Sequence, residues 1–258
     1  MEDENRRVVA IGAHPDDVEF MCSGTLKLLK DMGYEIFIGV LSNGDCGSMK
    51  EAPESIIKIR RQEAISAARL LGADFHPFGE QDLRIEFNDR TVMLVTEYIR
   101  MTDPLVVFTH PHEDYMMDHE MTSRVVRAAC FAAPVPNYFT RSVLPHPRTD
   151  HIPYLFYWAP LEGRDIYGSF VDQTIYVDVT GVIDFKAEML AHHKSQRDWL
   201  MEQHGMDSYI GTMRSTAKSY GERCDFLYAE GFRQHRGNAY PQDNILKKIL
   251  GEKVKERQ

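Results

Sequence analysis

Short apolar runs, RVVAIGA, EIFIGVLS and PLVVFTHP, are separated by longer stretches in which apolar residues recur every three to four positions. The first pattern suits buried strands and the second amphipathic helices. SGTLKLLKDMG reads as a helix closed by Gly33, and SIIKIRRQEAISAARLLG as one closed by Gly72. DRTVMLVTEYIRMTD and DHEMTSRVVRAACFAA read as two more. Strand and helix therefore alternate through the first half. That order predicts an α/β fold, a Rossmann-like three-layer sandwich with a mainly parallel central sheet. The second half is less regular. IPYLFYWAP, QTIYVDVTG and CDFLYAEGFRQ read as strands, and DFKAEMLAHHKSQRDWLMEQ as one helix. Between the halves, FAAPVPNYFTRSVLPHPRTDHIPY is rich in Pro and His and too irregular for a core element, which suggests a lid or a subunit contact. With no repeat and no linker, the chain reads as a single domain over residues 1–258 with an irregular insert around 131–170.

Composition narrows the class. At 258 residues, 43% of them hydrophobic, the chain can bury a full core. The net charge of −9 argues against a nucleic-acid partner, which needs clustered Lys and Arg. The basic tail KKILGEKVKERQ contains its own glutamates and reads as a solvated helix end. The N-terminus MEDENRRVVA is charged, and no apolar run is long enough to span a bilayer, so a cytoplasmic location is expected. Cys22, Cys46, Cys130 and Cys224 form no CxxC pair and read as ordinary reduced thiols.

The chemistry gathers where apolar runs end. Ligands of such sheets collect beyond the carboxyl ends of the strands, and GAHPDDVEF stands directly after the first. His14 and Asp17, three residues apart on a turn, can aim a ring nitrogen and a carboxylate oxygen at one cation. Pro15 limits the freedom of that turn. Asp16 would then point elsewhere, towards a water on the metal. The alternative is structural, an aspartate capping a helix and a histidine ending a strand. A second cluster, FTHPHEDYMMDHEMTS, holds His110, His112, Asp114, Asp118 and His119 within ten residues. One imidazole from it, with His14 and Asp17, completes a two-histidine, one-carboxylate set with a coordination position left for water, as in catalytic zinc sites. Zinc lowers the pKa of such a water to about 7. Mn²⁺ or Fe²⁺ suit the same donors.

These clusters resemble the PIG-L/LmbE family of zinc-dependent N-deacetylases. The resemblance rests on AHPDD with Glu19, SNGDCG, RRQEAISAARLLG, DYMMDHEMTS, AHHKSQ and YAEGFR, which follow in order over most of the chain. It implies a Rossmann-like hydrolase that removes an N-acetyl group from an amino sugar or a related small acylamide. It also implies that His14, Asp17 and His119 bind Zn²⁺ and that Asp16 is the general base. The family's frequent assembly, together with the insert, points to a homo-oligomer.

One departure bears on the chemistry. Many members read D-Y-H-P-D-H where this chain has DYMMDH, so Met116 replaces a histidine credited with stabilising or protonating the intermediate. A thioether cannot donate a proton. His193, in the position of the family's H-x-S-Q histidine, is the substitute expected to act in catalysis, with His110 and His112 as nearer alternatives. The other reading is a metal-binding member with weak or lost catalysis. Substrate-binding candidates are Arg60, which can equally pair with Glu63 on its own helix, and Asp82 in GEQDLR, which resembles a family carboxylate that meets sugar hydroxyls. Asn43 completes the set, in the turn Asn43–Gly47 whose glycines can let backbone approach a ligand. That turn lacks the GxGxxG spacing of a dinucleotide loop, which counts against a nicotinamide enzyme.

Overall fold

The computed structural model describes residues 5–204 and 209–257. In chain order they form β1 (Arg7–Gly12), α1 (Asp17–Met21), α2 (Ser23–Asp31), β2 (Glu35–Ser42), α3 (Pro53–Leu71), β3 (Asp74–Glu80), α4 (Asp89–Thr102), β4 (Val106–Thr109) and α5 (Met117–Ala132). There follow β5 (Tyr154–Trp158), β6 (Ile175–Asp178), α6 (Ile183–Leu190), α7 (Lys194–His204), α8 (Tyr209–Glu222), β7 (Ala229–Gln234), α9 (Ile245–Leu250) and β8 (Val254–Glu256).

One eight-stranded sheet has the order β3-β2-β1-β4-β5-β7-β6-β8. The first five positions are parallel. The remaining three strands join antiparallel, β7 to β5, β6 to β7 and β8 to β6. The fold is thus the expected α/β sandwich, extended by an antiparallel flank. Alternation along β1 builds the layers. Val8 and Ala10 pack with Leu26, Leu29 and Ile36 on one face, while Val9 and Ile11 pack with Val95, Ile99 and Val125 on the other. Because β2 lies on one side of β1 and β4 on the other, the chain reverses direction across the sheet between β1 and β4. That switch point opens a crevice at the strands' carboxyl ends. Both polar clusters emerge there.

Four local features depart from the sequence reading. β3 was not anticipated, because its sequence DFHPFGE contains Pro77 and Gly79; it lies at the sheet edge, where a strand tolerates proline. The stretch read as one helix is two, α6 and α7, broken at residues 191–193. The basic tail is not a solvated helix end. Leu250 and Val254 are buried, and β8 extends the sheet beside β6. Within the insert, residues 133–153 carry neither helix nor strand, whereas 154–158 form β5. Arg100 on α4 holds the start of that segment by donating to the carbonyls of Ala133 at 3.0 Å, Val135 at 3.2 Å and Tyr138 at 3.1 Å.

No helix among the described residues is long and apolar enough to cross a membrane.

Candidate active site

The loop after β1 is closed by its own motif. Asp17 Oδ2 accepts from the His14 backbone N at 2.7 Å. A Cβ on Gly12 would meet Asp17 Cβ at 2.9 Å, so only glycine permits this turn. Asp16 adopts φ 119°, a left-handed conformation that is strained for a non-glycine residue, and its side chain does not cap α1. The capping explanation for this aspartate therefore fails. Such strain persists where surrounding contacts enforce it, as they do at functional sites.

Partner chemistry assigns the imidazole tautomers. His14 Nε2 lies 3.2 Å from Asp118 Oδ2, and His119 Nδ1 lies 2.9 Å from Asp114 Oδ1. A carboxylate accepts, so each of these nitrogens carries the proton. His110 is engaged on both ring nitrogens, Nδ1 accepting from Trp158 Nε1 at 3.3 Å and Nε2 meeting Ala13 N and Asp17 Oδ2, each at 3.0 Å. Three lone-pair atoms remain: His14 Nδ1, His119 Nε2 and Asp17 Oδ1, the last two 3.5 Å apart. His14, Asp17 and His119 each offer a ligand atom within 4.8 Å of the others. This donor set fits a divalent cation, with each histidine oriented by a carboxylate behind it, as metal-ligating histidines usually are. His110, Asp114 and His119 lie equally close together, but there Asp114 is engaged by His119 and His110 by Asp17 and Trp158.

The electrostatics agree with that fit. Burial opposes charge on His14, yet the Asp118 and Asp17 carboxylates outweigh it and push the imidazole up to about 10. His119 is likewise raised against its burial, by Asp17 and Asp114. Asp17 is held well below the usual carboxylate range, burial being overcome by His119, His110 and His14. A field that draws protons onto two buried imidazoles also draws a cation.

Asp16 stands beside this cluster. Tyr209 at the start of α8 donates to its Oδ2, and Arg60 Nη2 lies 3.6 Å from its Oδ1. Burial raises its pKa, with Asp17 adding to the rise while Arg60, His193 and Tyr209 temper it. All of these groups except His193 line a cavity of about 820 Å³.

The sequence candidates divide. His14, Asp16, Asp17, His119, Arg60, Asp82 and Met116 line the cavity. Arg60 turns to the loop after β1, donating to Pro15 O at 2.9 Å. Gly44 and Gly47 make room for that guanidinium, since a Cβ would meet Arg60 Cδ at 2.6 Å and Nη1 at 2.2 Å respectively; the backbone there approaches an arginine of the chain itself. Asp82 accepts from Ser42 Oγ at 2.7 Å, Gly44 N at 2.9 Å and Cys46 N at 3.0 Å, so its carboxylate holds the turn after β2. Asn43 donates to Gly79 O at 3.1 Å and is not among the lining residues. His193 is buried with Nε2 3.2 Å from Glu19 Oε1, also outside the lining. His112 contacts Ser123 Oγ at 3.1 Å, away from the cavity. Sequence reasoning gave Asp118 no role although it stood in the polar cluster, and it missed Tyr209, which no motif marks.

Residues 9–130 match the family model described as PIG-L: GlcNAc-PI de-N-acetylase. That stretch is similar to the family's domain and contains both loops of the site, from His14 to His119. Beyond it lie β5, the antiparallel flank and α6 to α9. It is 26% identical over 146 residues to 4-oxalmesaconate hydratase of Pseudomonas putida, a match covering 54% of this chain and 57% of that protein. It is 25% identical over 235 residues to diacetylchitobiose deacetylase of Thermococcus kodakarensis, covering 88% and 82%. Among solved structures, N,N'-diacetylchitobiose deacetylase from Pyrococcus horikoshii shares the fold with a TM-score of 0.75 at 24% identity, covering 91% of this chain and 85% of that one.

Proposed function

We propose that this protein is a metal-dependent hydrolase that removes an N-acetyl group from an amino sugar or a related small acylamide. The observation that carries the reading is the set of three lone-pair atoms on His14, Asp17 and His119 beside the buried carboxylate of Asp16. A divalent metal on those three residues, zinc by preference, supplies Lewis-acid polarisation of the acyl oxygen and acidifies water. Asp16 takes the proton of the attacking water, a task its raised pKa suits. As the carbon–nitrogen bond breaks, Asp16 returns the proton to the leaving amine, so the products are a carboxylic acid and a free amine. Tyr209 and Arg60 hold the Asp16 carboxyl in place from its two oxygens. Met116 has no proton to give. His193 sits behind this constellation with Glu19 and acts on Asp16 through its charge.

A second reading is hydration of a carbon–carbon double bond in an unsaturated tricarboxylate, favoured by the likeness to 4-oxalmesaconate hydratase. It uses the same base and metal. The deciding experiment measures acetate release from a panel of N-acetylated amino sugars by zinc-loaded protein, beside absorbance change with unsaturated tricarboxylates. Acetate release supports the first reading. Hydration alone replaces it with the second, and bound metal with neither activity marks a binding protein.

A further inference from the structure

The cavity is larger than the reaction requires. Its volume of about 820 Å³ lies towards the upper end of the ~300–1,000 Å³ usual for drug-sized ligands, well beyond what an acetylated monosaccharide fills. Much of the wall takes no part in the reaction. Gln196, Trp199 and Leu200 line it from α7, and their spacing of three and four residues puts them on one helix face. Phe20 and Leu161 add apolar surface from α1 and the turn after β5. Met116 contributes a thioether where a polar group was expected.

Leu83 strengthens the case. It lines the cavity yet is 67% exposed, and it is held at φ 61° with its backbone N donating to Asp118 Oδ2 at 2.6 Å. The exposed side chain carries a hydration cost that an apolar ligand covering it would offset. Several polar groups of the wall are engaged within the protein. Asp82 is held by the turn after β2, His110 by Asp17 and Trp158, and Arg60 Nη2 by Pro15. Gln196 Oε1 and Arg60 Nε are buried without a hydrogen-bond partner.

Resting on the deacylase reading, we propose that the substrate carries a bulky apolar group, an aromatic ring or an extended alkyl chain, seated against Trp199, Leu200, Leu161 and Leu83. That group belongs either to the acyl side or to the amine side of the scissile bond.

The test compares product pairs, so it does not depend on turnover. Dissociation constants are measured by calorimetry on zinc-loaded protein for glucosamine against 4-nitrophenyl glucosaminide, and for acetate against hexanoate. One apolar member is expected to bind at least about tenfold more tightly than its partner, as for added apolar groups in a hydrophobic pocket. The first pair reports the amine side and the second the acyl side. Trp199→Ala is expected to shrink the ratio to within about threefold, and Trp199→Phe to keep most of it. Equal binding within both pairs, or a ratio untouched by Trp199→Ala, overturns the proposal. Acid release from the matching amides is scored separately. Its absence with the binding preference intact defeats the deacylase reading alone, and its presence without any preference defeats this inference alone.

Discussion

The hydroxyl of Tyr209 donates to Oδ2 of Asp16, tying the first turn of α8 to the strained residue after β1. The two are far apart in sequence, and both line the cavity. A hydrogen bond to a charged carboxylate contributes roughly 1.5–3 kcal/mol, enough to decide which way the carboxyl points. Tyr209→Phe keeps the ring and loses the donor. Turnover is expected to fall about tenfold or more while metal content stays constant. Tyr209 also tempers the rise in the Asp16 pKa, so its loss raises that pKa further and moves the acid limb of the rate profile to higher pH. A Tyr209→Phe protein with unchanged turnover and an unchanged acid limb would remove Tyr209 from the site.

Asp16→Asn separates chemistry from binding. The amide preserves shape but cannot accept the water's proton. The rate is expected to fall by about a hundredfold or more, the usual loss for a general base. Because Asp16 is not one of the three residues offering lone pairs at the cation site, dialysed protein should keep its metal. Metal loss in elemental analysis would make Asp16 a ligand instead.

Much of this architecture was legible because two periodicities were strong. The alternation of Val8, Val9, Ala10 and Ile11 between the two faces of β1 specifies a doubly covered strand, and the polar clusters ended strands as α/β geometry requires. What escaped were features decided by distant contacts. β3 carries Pro77 at an edge, where only the finished sheet shows that no donor is needed. Tyr209 sits in DSYIGTMRSTAKSYGE, an unremarkable helical stretch whose meaning comes from where α8 packs. Asp82 was read through its resemblance to a family carboxylate and Asn43 through its place in a turn; what neither signal could show is that Asp82 accepts from Ser42 and Gly44 and that Asn43 donates to Gly79 O.

Asp118 stands behind the candidate metal site. Its Oδ2 meets His14 Nε2 at 3.2 Å and the Leu83 N at 2.6 Å, so it fixes both the His14 tautomer and a loop. Asp118→Asn is expected to weaken zinc binding about 10–100-fold, the effect typical of carboxylates behind metal-bound histidines. His119→Ala should abolish stoichiometric metal. His112→Ala should keep it, since that ring faces Ser123 and Arg127. Competition with a chromogenic chelator ranks the three. Equal zinc retention in all would show that the ion sits elsewhere.

Glu230 and Lys186 form an ion pair with both side chains only 2% exposed. Glu230 further accepts from Gly24 N at 2.9 Å, Thr25 N at 2.7 Å and Thr25 Oγ1 at 2.6 Å, satisfying the first turn of α2. A Cβ at position 24 would come within 2.9 Å of Glu230 Oε1, which explains a glycine inside that helix. α2 follows α1 after a single residue, so this buried carboxylate anchors the segment that carries Asp17. Lys186→Met leaves an uncompensated buried charge and is expected to destabilise the protein by about 3–5 kcal/mol. Glu230→Ala removes the partner of all four donors and should be at least as damaging. Lys186→Met paired with Glu230→Gln should recover part of the loss, because the neutral amide still offers its oxygen to the α2 donors without burying a charge. Urea unfolding of the three variants measures the differences. A Lys186→Met protein within about 1 kcal/mol of the parent would mean that the α2 donors alone satisfy Glu230.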